Sequence, residues 1–138
     1  MLDRGISQEY NNVNNGDFSM KISDHFSQSE LECNCGCGFS ILQHSFLDKL
    51  ELARTLAGFP FNISSWCRCP THNVLVGGSD TSSHLGGWAV DIDEDNLENR
   101  FRLVHYLTRA GFTRIGIGKN FVHADDDPSK PDAIWFYK

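Results

Sequence analysis

The chain of 138 residues has no long apolar run and no cluster of basic side chains, and each absence removes a class of function. A bilayer-spanning helix needs about 20 consecutive apolar residues, and no segment approaches that length. The first twenty residues, MLDRGISQEYNNVNNGDFSM, hold no apolar core of a secretory leader. A chain made in the cytoplasm, without export signal or membrane insertion, is the expectation. Lys and Arg number 12 against 18 Asp and Glu, for a formal charge of -6. The basic residues are scattered, whereas nucleic-acid binding needs clustered cations that neutralise phosphate. Nucleic-acid partners are therefore excluded, and no internal repeat indicates an array.

What is present is the composition of an ordinary globular protein, 40% apolar and 22% charged, at a length that buries one core. Residues 1 to 22, rich in Asn, Asp and Ser, show no periodicity and read as a polar arm. Residues 23 to 138 read as one domain, expected to be a monomer. Phe46, Leu50, Ala53 and Ala57 share a helical face that Gly58 and Pro60 terminate. Alternation from Phe61 to Trp66 predicts a strand running on to Cys69 and closed by Pro70, with Arg68 facing away from Cys67 and Cys69. A short helix starts at Pro70 and ends at Gly77. Ala89 to Asp93 is a second strand, with Asp91 and Asp93 on one face and Val90 and Ile92 buried on the other. Leu97, Phe101, Val104 and Leu107 or Thr108 mark a second amphipathic helix, and strands follow at 113–118, 121–125 and 134–137. Helices on one side of a small, mostly antiparallel sheet make the predicted class α+β.

Cys33, Cys35, Cys37, Cys67 and Cys69 form two tight groups. They are compatible with a second, structural zinc site, with a disulfide that staples the loop to Cys69, or with buried thiols. No histidine stands beside them in sequence, which argues against a cysteine nucleophile. His25, His44, His72 and His105 have no ligand-like context and read as surface or partly packed. Trp66, Trp88, Trp135, Phe136 and Tyr137 read as mostly core, with a cleft wall as the alternative for Trp88.

His84, Asp91 and His123 are the metal-ligand candidates. Two imidazoles and a carboxylate give an ion that favours four ligands three, leaving a position for water or substrate in a cleft. Around them, SSWCRCPTHNVLVGGSDTSSHLGGWAVD runs from Ser64 to Asp91. It resembles the zinc D-Ala-D-Ala carboxypeptidase family, whose pattern is S-G-Y-R-x-P-x-x-N, then G-G, then S-x-H-x-x-G-x-A-x-D. Matches fall at Ser64, Arg68, Pro70, Asn73, Gly77, Gly78, Ser82, His84, Gly87, Ala89 and Asp91. The opening from His25 to Gly38, with its C-x-C-G-C-G, is similar to that of short members, many of them encoded by phages. Gly116, Gly118 and Phe121-Val122-His123-Ala124-Asp125 are similar to the family's ending. The resemblance spans about residues 24 to 126.

The resemblance implies a Zn2+ peptidase that cuts peptidoglycan stem peptides, as a carboxypeptidase or an endolysin-like endopeptidase, reaching the wall by phage-assisted or other non-classical release. It implies His84, Asp91 and His123 as ligands, and Arg68, with its planar fork of donors, as the group that holds a substrate carbonyl or carboxylate. Ser82, and Trp88 as a cleft wall, are further substrate-contact candidates. In the vancomycin-resistance dipeptidase branch the general base is a Glu three residues before the last ligand, a position held here by Asn120. Asp125 is the substitute base, ahead of Asp93 and Glu94, or else an acceptor that orients a ligand imidazole. A domain without any base would instead be a zinc-containing binding module, as in the related hedgehog signalling domains.

Overall fold

The computed structural model describes residues 19–138; most of the expected polar arm, residues 1–18, lies outside the described residues. Helix α1 (Gln28–Leu31) carries a capping box between Ser27 and Glu30. Helix α2 (His44–Ala57) buries Phe46, Leu47, Leu50, Ala53 and Ala57 and ends at Gly58, whose φ of 76° is left-handed. This is the helix that the apolar spacing and the Gly-x-Pro stop predict. Strand β1 (Asn62–Ser65) leads to helix α3 (Pro70–Leu75), a 3-10 turn (Ser83–Gly86), strand β2 (Ala89–Asp93) and helix α4 (Leu97–Arg109). Strands β3 (Arg114–Ile117), β4 (Phe121–Asp125) and β5 (Ala133–Phe136) complete an α+β fold.

The sheet order is β1-β2-β4-β3-β5, antiparallel except where β5 runs parallel to β3. Successive side chains of a strand point to opposite faces. Val90, Ile92, Val122, Ala124 and Ile115 therefore join Phe46, Leu50, Leu103 and Leu107 in the core. Phe26, Phe46, Trp66 and Phe112 bind that core together, with neighbouring ring centroids 5.6–5.9 Å apart. Each such buried ring contributes about 1.5–3 kcal/mol. The opposite face, carrying Asp91 and His123, is left for chemistry.

Two expectations need correction. The first strand stops at Ser65, not Cys69, after a register irregularity between Ile63 and Ser65. Beyond it the chain leaves the sheet, and the backbone N–H groups of Cys67 and Arg68 bond instead to the carbonyls of Leu31 and His84. In α4, Leu97 and Phe101 are 82% and 71% exposed. The inward stripe is Arg100, Leu103, Leu107 and Ala110, because the Arg100 guanidinium donates to the carbonyls of Glu94 and Gly118 and holds that side of the helix down. Phe101, about 100° further around, stacks on His105 outside.

The segment before α1 is tied to α2 through Glu51, which accepts from Ser23 Oγ at 2.6 Å, from the His25 amide at 2.9 Å and from the His25 ring. Burial opposes the Glu51 charge, but these bonds outweigh it and lower its pKa. A lowered carboxylate pKa contributes stability above the unfolded value that is lost as pH falls through the folded one. Glu51→Gln is expected to cost about 1 kcal/mol near neutral pH. The gap to the parent in urea unfolding should close below about pH 4.

Candidate metal centre

Register assembles the centre. On the face away from the helices, Asp91 of β2 pairs with His123 of β4, His123 with Gly116 of β3, and Gly116 with Trp135 of β5, in one row across four strands. The adjacent row on that face is Ala89, Asp125, Arg114 and Ala133. Gly116 has no side chain for a steric reason: a Cβ there would lie 2.7 Å from the rings of Trp135 and Tyr137. Its absence lets Trp135 sit beside His123, with ring centroids 5.4 Å apart.

His84 arrives from outside the sheet. Ser82 Oγ caps the 3-10 turn by accepting the His84 amide at 3.3 Å. Gly87 closes the turn at φ 77°, where a Cβ would meet the Ile41 carbonyl oxygen at 2.2 Å. The buried ring donates from Nδ1 to the Trp66 carbonyl at 2.7 Å, which leaves Nε2 as a free lone pair aimed at Asp91. His123 uses the opposite nitrogens, with Nδ1 2.9 Å from Asp91 Oδ1 and Nε2 2.7 Å from Asp125 Oδ2.

One ligand atom from each of His84, Asp91 and His123 lies within 4.8 Å of the others. The separations from Asp91 Oδ1 are 3.4 Å to His84 Nε2 and 2.9 Å to His123 Nδ1. A tetrahedral ion with bonds of about 2.0–2.1 Å sets its ligand atoms about 3.3 Å apart, so the donor set fits zinc. Burial opposes the Asp91 charge, but the imidazoles of His123 and His84 beside it outweigh that and hold the carboxyl well below the usual range. For His123, burial opposes protonation, and Asp125 and Asp91 together raise its pKa.

Asp125 is 1% exposed, and both its oxygens are engaged: Oδ2 with His123, Oδ1 with Arg114 Nε at 2.7 Å. Burial opposes its charge, yet its pKa is lowered, chiefly by the His123 bond. Arg114 escaped the sequence reading. It also donates to the Pro131 carbonyl at 2.6 Å and lies 5.0 Å over the Trp135 ring. Period-two alternation puts it on the same face as Gly116, and the pairing of β3 with β4 makes that the cleft face. Asp93 and Glu94 do not line the same cleft; with Asn62, Asp95 and Asn120 they line a separate depression. Among the described residues, the carboxylates lining the metal cleft are Asp91 and Asp125.

The cleft has a volume of about 480 Å³, within the range of about 300–1,000 Å³ for small-ligand sites. Arg68 and Ser82 line it. Arg68 Nη1 donates to Asn73 Oδ1 at 2.9 Å, Nη2 lies 3.7 Å from Asp91 Oδ2, and buried Asn73 donates onward to the Ser79 carbonyl. A Cβ at Gly78 would sit 2.0 Å from Asn73 Oδ1 and 2.8 Å from the Arg68 guanidinium, so glycine makes room for this pairing. Trp88, read as core with a cleft wall as the alternative, packs against the core. Trp135 and Tyr137, expected as core, form that wall.

A family model described as Peptidase M15 matches residues 24–125, most of the chain and nearly the span over which the motifs resemble the zinc carboxypeptidases. No curated protein matches the chain. Metal analysis of the purified protein checks the centre: His84→Ala should carry one zinc equivalent per chain fewer than the parent, and equal content would remove His84 from the ligand set.

Proposed function

The chain belongs to the peptidase M15 family of zinc-dependent hydrolases, and from that premise we propose that it hydrolyses a peptide bond in the stem peptides of peptidoglycan, as a D-Ala-D-Ala carboxypeptidase or an endolysin-like endopeptidase. The observation that carries this reading is the convergence of His84 Nε2, Asp91 Oδ1 and His123 Nδ1 on one point in an open cleft. These three atoms would hold the zinc. When bound with a coordination position open, zinc supplies Lewis acidity to a carbonyl and makes water a nucleophile near neutral pH.

The remaining roles belong to the chain's own side chains. Arg68, fixed by Asn73, offers its charge and remaining N–H groups to a substrate carboxylate or carbonyl oxygen. Asp125 acts as a positioning residue: its grip on His123 Nε2–H turns Nδ1 toward the metal point and fixes the tautomer. That use of both oxygens favours orientation over the general-base role. The Tyr137 phenol lines the cleft, where burial and then the Asp91 and Asp125 charges raise its pKa. It stays protonated and can donate to an oxygen of bound substrate. No helix among the described residues is long and apolar enough to cross a membrane.

A second reading has one observation in its favour. Among the described residues the cleft holds no carboxylate besides Asp91 and Asp125, so a zinc-containing module that binds stem peptides without cutting them accounts for the same geometry. Digestion of purified muropeptides separates the readings by product mass. Loss of a terminal alanine identifies a carboxypeptidase and separation of cross-links an endopeptidase. Intact muropeptides that nevertheless bind to the zinc-loaded protein establish the module.

The role of Asp125 is tested apart from that. Asp125→Asn is expected to weaken zinc affinity by about tenfold to a hundredfold, with turnover recovering when zinc is saturating. A loss of turnover of roughly a hundredfold that persists at saturating zinc would make Asp125 the general base after all.

A further inference from the structure

We propose that Cys33, Cys35, Cys37 and Cys69 bind a second, structural zinc ion that clamps the loop of residues 33–38 to the start of α3. The proposal is independent of the peptidase reading. The four sulfurs all lie within 4.8 Å of one another. Cys33 and Cys35 are separated by 3.5 Å, and Cys35 and Cys69 by 3.8 Å. Zinc–sulfur bonds of about 2.3 Å in a tetrahedron place sulfurs about 3.8 Å apart, whereas a disulfide requires about 2.05 Å. All five cysteines are free thiols, and the separations are those of ligands around a common ion.

The backbone is arranged for thiolates. The amide of Cys69 donates to Cys33 Sγ at 3.3 Å, that of His72 to Cys69 Sγ at 3.3 Å, and that of Phe39 to Cys37 Sγ at 3.4 Å. Amide donors favour a charged sulfur over a neutral one, and four thiolates at this spacing repel each other unless a cation lies among them. Gly36 and Gly38, at φ 85° and 84°, supply left-handed turns between and after the loop cysteines. Cys67 stands apart: it is buried and exchanges bonds with both the amide and the carbonyl of Ile41 at 3.3 Å. The odd cysteine count thus resolves into four ligands and one core thiol.

The consequence reaches the cleft, because Cys69 caps α3 and directly follows Arg68. An ion held there anchors the backbone on which Arg68 is mounted.

The full chain, purified with reductant and zinc, should contain two zinc ions, and zinc-edge X-ray absorption should show sulfur at about 2.3 Å. His84→Ala should retain one zinc whose shell is four sulfurs, so the two sites are counted separately and failure of one leaves the other standing. Cys35→Ser, at an exposed position, should lose that ion and expose the 33–38 loop to proteolysis. Should this variant fail to fold, the absorption spectrum of the parent still decides. Zinc shells without sulfur, a disulfide between Cys35 and Cys69 in the zinc-loaded protein, or iron in place of zinc would each overturn the proposal.

Discussion

The pairing of Asp91 with His123 across β2 and β4 is the constraint on which the site depends. In an antiparallel pair a slip of one residue turns every side chain to the other face. Here such a slip would bury Asp91 against α2 and α4 and carry Ile92 into the cleft. The same register is what packs Val90 and Ile92 against Val122 and Ala124 in the core. The hydrophobic effect that assembles the inner face therefore also sets the ligand atoms, and no separate device is needed to align them. The neighbouring row follows from it, bringing Asp125 to Arg114.

Orientation of the two imidazoles is a different matter from their position. His84 is turned by a backbone carbonyl, that of Trp66, and His123 by a carboxylate, that of Asp125. Trp66 is itself 1% exposed and edge-packed on Phe26, so the aromatic core holds the acceptor that orients His84. Asp125 is a buried charge, and such a charge is costly unless paired and hydrogen-bonded. Arg114 supplies the pairing, and its Nη1 donates in turn to the Pro131 carbonyl. The orienting carboxylate thus comes with a counter-ion and a loop anchor.

What was legible in the sequence divides along this line. His84, Asp91 and His123 were legible because their types and local motifs name a chemistry, and α2 because its apolar spacing and its stop agree. Arg114, Trp135 and Tyr137 were not, because their place on the cleft depends on the pairing of β4 with β3 and of β3 with β5, which no local pattern specifies. Trp88 was left between core and cleft wall for a related reason: it follows an irregular 3-10 turn, where period-two alternation gives no guide to direction. The face of α4 was misread because polar Arg100 occupies the inward stripe through its hydrogen bonds, while apolar Leu97 and Phe101 face out. Asp93 was correctly put on the Asp91 face yet belongs to another depression, since sharing a face does not mean sharing a cleft.

Arg68 is where the two clusters meet. Its guanidinium reaches Asp91 on one side, and its backbone continues into Cys69 on the other, with the sheet already abandoned at Ser65. A residue outside regular structure has no ladder to fix it, and ordering its backbone and side chain carries an entropic cost. Asn73, the His84 carbonyl and Ser65 each hold one part of it. Each of those three bonds is local to the cleft, so together they fix Arg68 relative to Asp91 but not relative to α1 and the loop that follows it. That longer connection runs through Leu31, which accepts the Cys67 amide, and through the cysteine loop at residues 33–38. The irregular chain between β1 and α3 is thus spanned at both ends, by the ligand cluster on one and the thiol cluster on the other. This explains how a cleft-lining cation can be mounted on a stretch with no secondary structure of its own.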